Sequence, residues 1–303
     1  MADTFQELAV TLANKQEHMV DAVSVGAPLI AAMPMQRTTH GLFHTFEQVN
    51  SITGGSYVDM NAALPAMDVK TDLGTAHLKI MGGKIVCPQD QGPSDIKRAE
   101  YFAKKAPKTI TASAETAEAD IVYNSLRQYA IDNENYLREG TSGSTFYSIL
   151  AVTWVEDEIC GLYDPDQFND GEIFNMGDYW NGGLGENSDG VPIYQKWMKT
   201  YLGILLANPK KVALYANLNA SNLPTAKSMD ELLLLCENSQ GSNTVLYMHP
   251  RMKNYLKNLK NANLTTIEGD SSIFRGFEAY DDVPIVTSYN FKAGTETTVA
   301  AIS

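Results

Sequence analysis

The segment Trp197–Leu218 constrains the fold most. Two apolar runs, Tyr201–Ala207 and Val212–Leu218, flank Asn208-Pro209. Each run is strand-like, and turn chemistry between two such runs predicts a β-hairpin. A capped helix is predicted next over Ser228–Cys236, with Ser228 and Glu231 as a capping box and Leu232–Leu235 as its buried side. A buried strand follows at Thr244–Met248, then a helix opened by Pro250, whose missing N–H is harmless in a first turn. The last ordered feature is GFEAYDDVPIVTSYNF, Gly276–Phe291, with a strand at Val283–Tyr289. The order alternates strands and helices and contains no catalytic signature.

Composition narrows the classes. With 303 residues and 44% hydrophobic content, the chain is globular in character. No apolar run approaches the ~20 residues a transmembrane helix needs. Met1–Val10 is polar and acidic, unlike a secretory signal. Cys87, Cys160 and Cys236 are widely spaced and odd in number, which predicts free thiols in a reducing compartment and no zinc site. The net charge is −13 and the pI about 4.8. Gripping phosphates takes a basic surface, and KKAPK at Lys104–Lys108 is the densest basic stretch present.

An amphipathic helix is predicted over Asp3–Val23. Thr4 and Glu7 form its capping box, Phe5, Leu8, Leu12, Met19 and Val23 its apolar face, and Gly26-Ala27-Pro28 its end. From pattern alone such a helix packs on its own domain. Gly41–Cys87 alternates like a long hairpin with an irregular tip around Gly54, Gly55 and Asn61–Pro65. A lone hairpin cannot bury both faces, so it must lie on its own domain or on another chain. Helices are expected at Ser94–Lys105, stopped by Pro107, and at Ser113–Leu137, stopped by Gly140. Phe146–Val155 and Thr297–Ile302 read as strands, and Asp164–Gly190 as a long surface excursion. The basic residues of the Pro250 helix read as a solvated face.

Candidate chemistry is thin. Asp164–Asp170 begins like a calcium loop, but Phe168, Asn169 and Asn175 stand where oxygen, glycine and carboxylate are needed. His40 and His44 lack the Glu of a zincin helix and lie in a strand pattern. Gly182–Gly185 lacks the Lys-Ser/Thr of a phosphate loop. Glu156, Asp157 and Glu158 could pair as glycosidase carboxylates, but any acidic chain offers such pairs.

Taken in order, these features resemble the tailed-bacteriophage major capsid proteins of the Hong Kong 97 fold. The likeness rests on Trp197, Leu202, Gly203, Asn208, Pro209 and Lys210, and on Gly276, Pro284, Ile285 and Val286 near the end. The resemblance implies an α+β chain. Residues 1–39 would be an N-arm, 40–88 an extended loop, 89–142 a peripheral domain with a long spine helix, 143–290 an axial domain with a mixed central sheet, and 291–303 a closing strand of the peripheral domain. It implies a non-enzymatic virion subunit without cofactor, catalytic residue or metal, self-assembling as hexamers and pentamers around DNA in the host cytoplasm. A separate scaffolding protein, a portal and a decoration protein would be its partners, with no membrane. Phe5, Leu8, Leu12, Met19, Gly54, Gly55 and Tyr57 would lie at subunit interfaces. Two alternatives stay open: an encapsulin-like nanocompartment shell, and a cytosolic carbohydrate-active enzyme.

Overall fold

The computed structural model describes residues 17–60, 63–140, 143–167, 175–178, 184–186, 188, 190, 192–237, 243–257, 264–267 and 277–300. The chain enters through helix α1 (Glu17–Gly26) and a short α2 (Pro28–Ala32). Strands β1 (Met35–Arg37), β2 (Phe43–Thr53), β3 (Asp68–His77) and β4 (Lys79–Pro88) follow. A long helix, α3 (Asp95–Asp120), runs through a π-turn at Ile121–Leu126 into α4 (Arg127–Asp132). Then come β5 (Tyr136–Arg138), β6 (Tyr147–Thr153), β7 (Ile159–Tyr163), β8 (Asn175–Asp178), β9 (Leu184–Glu186), β10 (Pro192–Leu206) and β11 (Val212–Leu218). Helix α5 (Ala226–Leu235), β12 (Thr244–Met248), α6 (Pro250–Lys257), β13 (Leu264–Ile267), β14 (Phe277–Tyr280) and β15 (Val283–Thr287) complete the described elements.

A seven-stranded mixed sheet, ordered β13-β14-β15-β12-β6-β11-β5, forms the centre. Its inner strands β6, β11 and β12 are buried at every position. Alternation explains why they read as unbroken apolar runs. Leu150, Val152, Leu214 and Tyr247 join the core under α1–α4. Their neighbours Ile149, Ala151, Tyr215 and Leu246 face α5 and α6. A second sheet, β1-β7-β10-β4 with β8 and β9 also on β10, lies against α3 through Met81, Ile85, Met198 and Leu202. In it Gly82 (φ +155°) lets β4 close on β10, since a Cβ there would meet the Met198 carbonyl oxygen at 2.1 Å.

Several expectations need correction. Tyr201–Ala207 and Val212–Leu218 do not pair. Gly203–Leu206 pairs with β7, while β11 lies between β6 and β5 in the other sheet. Asn208-Pro209 is a corner between sheets: Pro209–Lys211 makes one 3-10 turn, and the Lys210 N–H donates to Asn208 Oδ1 at 3.1 Å. Both runs are apolar because each is interior to a different sheet.

Pro107 does not end a helix; α3 passes through it. The local penalty of about 3 kcal/mol is offset by burial of Ala106, Ile110 and Ala114 on either side of it. Ser94, the first residue of the expected helix, is the cap of α3, accepting from the Lys97 N–H at 3.4 Å. The helical path ends at Asp132 instead of Leu137, because Glu134 takes a left-handed φ of 56° and β5 pairs with β11. Helix α5 starts at Ala226, and its cap is Thr225, which accepts from the Ser228 N–H at 3.1 Å. Thr297–Ala300 forms no strand. Side chains hold it instead: the Val299 N–H donates to Asn217 Oδ1 at 2.9 Å, and Arg127 Nη2 to the Thr297 carbonyl at 2.7 Å.

Part of the expected arm, within residues 22–37, packs on its own chain. Ala22, Val23, Leu29, Ile30, Met33 and Met35 are buried, and β1 pairs with β7. Gly26-Ala27-Pro28 ends α1 as predicted, and α2 restarts at Pro28. The buried Glu118 carboxylate on α3 fastens this segment. Oε2 accepts from the Leu29 N–H at 2.7 Å and the Ile30 N–H at 3.4 Å. Oε1 accepts from Asn290 Nδ2 at 3.0 Å and from the Ser288 hydroxyl. Burial pushes the Glu118 pKa up, against the lowering effect of these donors.

Candidate assembly surface

Strands β2 and β3 form an antiparallel ribbon from Phe43↔His77 to Thr53↔Asp68, with a register shift between Val49 and Ser51. Among the described residues it is a sheet of two strands. Its root packs on the body: Phe46, Ala76 and Leu78 lie against Cys160, Leu162 and Leu205. His44 is buried there, and burial lowers its pKa. The neighbouring His40 ring stacks on Phe43 with centroids 5.2 Å apart.

Beyond the root the ribbon is bare. Every described residue from Thr53 to Leu73 is exposed. Tyr57 is 108% exposed, Met60 95% and Leu64 82%, values of a side chain touching almost nothing. Met67 and Leu73 are also exposed. Large apolar side chains concentrated on one projecting tip mark a surface that another molecule covers. Gly54 and Gly55 are not in the left-handed region, and a Cβ at Gly54 would meet nothing within 4 Å. Glycine there is not required by the fold of the single chain.

A second feature lies on the body. An open groove of about 850 Å³ runs between α3 with its π-turn and strands β4 and β10. Ala112, Ala117, Ile121, Ile80, Leu202 and Ile204 give it an apolar floor. Lys79 Nζ bridges to Asp120 Oδ2 at 2.7 Å on its wall, and this bond is the main cause of Asp120's lowered pKa. The buried Tyr129 hydroxyl has no hydrogen-bond partner among the described residues, and burial pushes its pKa up to about 12. Sequence reasoning missed this groove, because α3, β4 and β10, which line it, are far apart in the chain.

The other candidate residues separate as follows. Phe5, Leu8 and Leu12 lie outside the described residues; Met19 lies in α1. Glu156, Asp157 and Glu158 form the turn between β6 and β7. The Asp157 carboxylate accepts from Gln36 Nε2, and Glu158 Oε2 accepts from Asn208 Nδ2 at 2.8 Å, so both fasten neighbouring loops. Asp164 is buried and accepts from the Asp166 N–H at 3.1 Å; the rest of that loop, from residue 168, lies outside the described residues. Cys87, Cys160 and Cys236 are buried free thiols, and burial raises Cys160 to about 12 and Cys236 to about 11. Among the described residues no group of three or more His, Cys, Asp or Glu could hold a metal ion, and no helix is long and apolar enough to cross a membrane.

A projecting two-stranded ribbon, a long helix beneath a sheet and a mixed central sheet define an α+β chain of the Hong Kong 97-type capsid fold. The particular likenesses are to solved phage structures. A chain of bacteriophage Epsilon15 matches with TM-score 0.58 and 16% identity over 88% of both chains. A chain of the bacteriophage JBD30 capsid matches with TM-score 0.53 and 9% identity, over 88% of this chain and 90% of that one. No protein-family model and no curated protein matches the sequence. At these identities it is the fold that is shared.

Proposed function

We propose that this chain is the major capsid protein of a tailed bacteriophage, a non-enzymatic subunit that builds an icosahedral shell around double-stranded DNA. The ribbon from Thr53 to Leu73 carries the reading: its apolar tip is uncovered in the single chain, and a shell supplies neighbours to cover it. The acidic balance suits a container that confines DNA without gripping it. In this reading residues 40–88 are the extended loop, α3 through α4 the spine of the peripheral domain, and the central sheet with α5 and α6 the axial domain. The N-arm is shorter than 1–39, since residues 22–37 contribute to the core of their own subunit. Hexamers and pentamers of the chain, a separate scaffolding protein and a portal complete the proposed assembly.

Electron microscopy of the expressed chain, alone and with its phage partners, tests this. Closed icosahedral shells that take up DNA are expected. Small shells holding only protein would favour a nanocompartment, and a monomer under every condition would contradict the proposal.

A further inference from the structure

The long helix changes its winding where residues 288–300 cross it. At Ile121–Leu126 the α-helical bonding gives way, and the Arg127 N–H donates to the Val122 carbonyl in the pattern of a π-turn. Such turns are rare, so contacts from outside the helix are needed to hold one. Here they come from the 288–300 segment. The Tyr123 hydroxyl donates to Glu296 Oε1 at 2.8 Å and accepts from the Lys292 N–H at 2.6 Å. The Phe291 ring meets Tyr123 edge-on with centroids 6.4 Å apart, and Lys292 Nζ lies over the same ring at 4.6 Å. Arg127 Nη2 donates to the Thr297 carbonyl at 2.7 Å. On the other side of the π-turn, Glu118 holds Ser288 and Asn290. From Glu118 to Arg127 an unbroken α-helix would turn through about 900° and place the two on opposite sides. The wider turn lets both grip one segment.

The π-turn is also a joint. Before it, α3 packs on the second sheet through Met81, Ile85, Met198 and Leu202. After it, α4 leads to the central sheet, where Asn135 Nδ2 donates to the Val212 carbonyl at 2.6 Å and the Leu235 carbonyl at 3.2 Å. The segment bridges this joint. Its far end is tied to the central sheet, with Asn217 Nδ2 donating to the Val299 carbonyl at 3.0 Å and the Tyr136 hydroxyl to the Ala300 carbonyl at 3.0 Å. Its ladder contact among the described residues is the isolated bridge Thr295↔Phe146. Side-chain bonds, not strand pairing, therefore keep it seated.

We propose that residues 288–300 form a latch on the π-turn, and that latch and turn open and close as one unit. Seated, the latch fixes the joint between the two sheets. Released, it lets Ile121–Leu126 rewind and α3 shift against the central sheet. Tyr123 and Glu296 are its positioning contacts. The latch lies within one chain and does not depend on the shell reading.

Hydrogen exchange on the expressed chain tests it from both sides. Tyr123→Phe removes the hydroxyl that joins Glu296 to the Lys292 N–H. Gly294→Ala acts from the segment, because Gly294 has φ +77° and a Cβ there would meet Thr145 Cβ at 3.2 Å. Each change should speed exchange about tenfold or more in residues 292–299 and in Ile121–Arg127 together. Val212–Leu218 and Thr244–Met248 should keep their protection. Glu296→Gln, which leaves an acceptor for Tyr123, should give the same pattern with a smaller effect. Acceleration in only one of the two segments overturns the coupling, as does no change in either. Equal acceleration in the central strands would mean a general loss of stability and likewise overturns it.

Discussion

Glu118 shows how one side chain sets the path of a whole segment. Its two oxygens satisfy the first N–H groups of α2 and the side chains that follow β15. Removing the carboxylate would leave these donors buried without partners. Glu118→Ala should therefore destabilise the monomer by roughly 3 kcal/mol, read by chemical denaturation. Glu118→Gln retains one acceptor oxygen and should cost less. Equal losses for both would show that packing, not the acceptor, matters. The sequence offered no sign of this residue, since its partners Leu29, Ser288 and Asn290 are distant in the chain.

His249 is the second residue-scale case. Its Nδ1 accepts from the Arg251 N–H at 3.1 Å and so caps α6 as a neutral imidazole. Tyr147 and Tyr289 face its ring, and Arg251 is the charged group beside it. Burial, then Arg251, lowers its pKa from the ordinary 6.5. On acidification the unfolded chain therefore takes up this proton first. The stability is fully present above the unfolded value and is lost as pH falls from there to the folded pKa. His249→Asn keeps a capping oxygen without titrating. Melting temperature followed from pH 7 down to about pH 5 should fall less steeply in the variant. The remaining slope includes His44, which is shifted in the same direction. An unchanged slope would remove His249 from the account.

At the scale of elements, what could be read from sequence depended on burial. Val212–Leu218 and Thr244–Met248 were legible because inner strands must be apolar on both sides. The ribbon was legible from its alternation after Gly41, but the expected hairpin ran on to Cys87, whereas Lys79–Pro88 leaves the ribbon and pairs with β10. Pairing partners were not legible: nothing in Asn208-Pro209 distinguishes a hairpin from a corner between sheets. Pro107 misled because core burial along α3 outweighs a local penalty, and the Thr225 cap was hidden behind a better-looking box at Ser228. The tip offers an element-scale prediction. Thr53 pairs with Asp68, so replacing residues 54–67 by Asn-Gly closes the ribbon with a two-residue turn in register. The shortened chain should melt within a few degrees of the parent, because the described residues among them are all exposed, yet fail to form shells. Shells of normal size would show that the tip is dispensable.

For the whole molecule, the central claim is that one part of the fold is complete only in company. The central sheet is covered on both faces within one chain, whereas among the described residues the ribbon from Thr53 to Leu73 is exposed throughout. Gly54, Gly55 and Tyr57 are expected at a subunit interface from the family resemblance, and all three are exposed in the single chain. The groove between α3 and strands β4 and β10 was not legible, because it has no local sequence pattern. A two-stranded ribbon without further support is marginally stable, so its amides should open readily in the free subunit. Hydrogen exchange of monomer and assembled shells tests this directly. Amides in Thr53–Leu73 should exchange fast in the monomer and slow strongly on assembly, while Val212–Leu218 and Thr244–Met248 stay protected in both. Equal protection of Thr53–Leu73 in the two states would mean that no neighbour covers the ribbon, and would contradict the account.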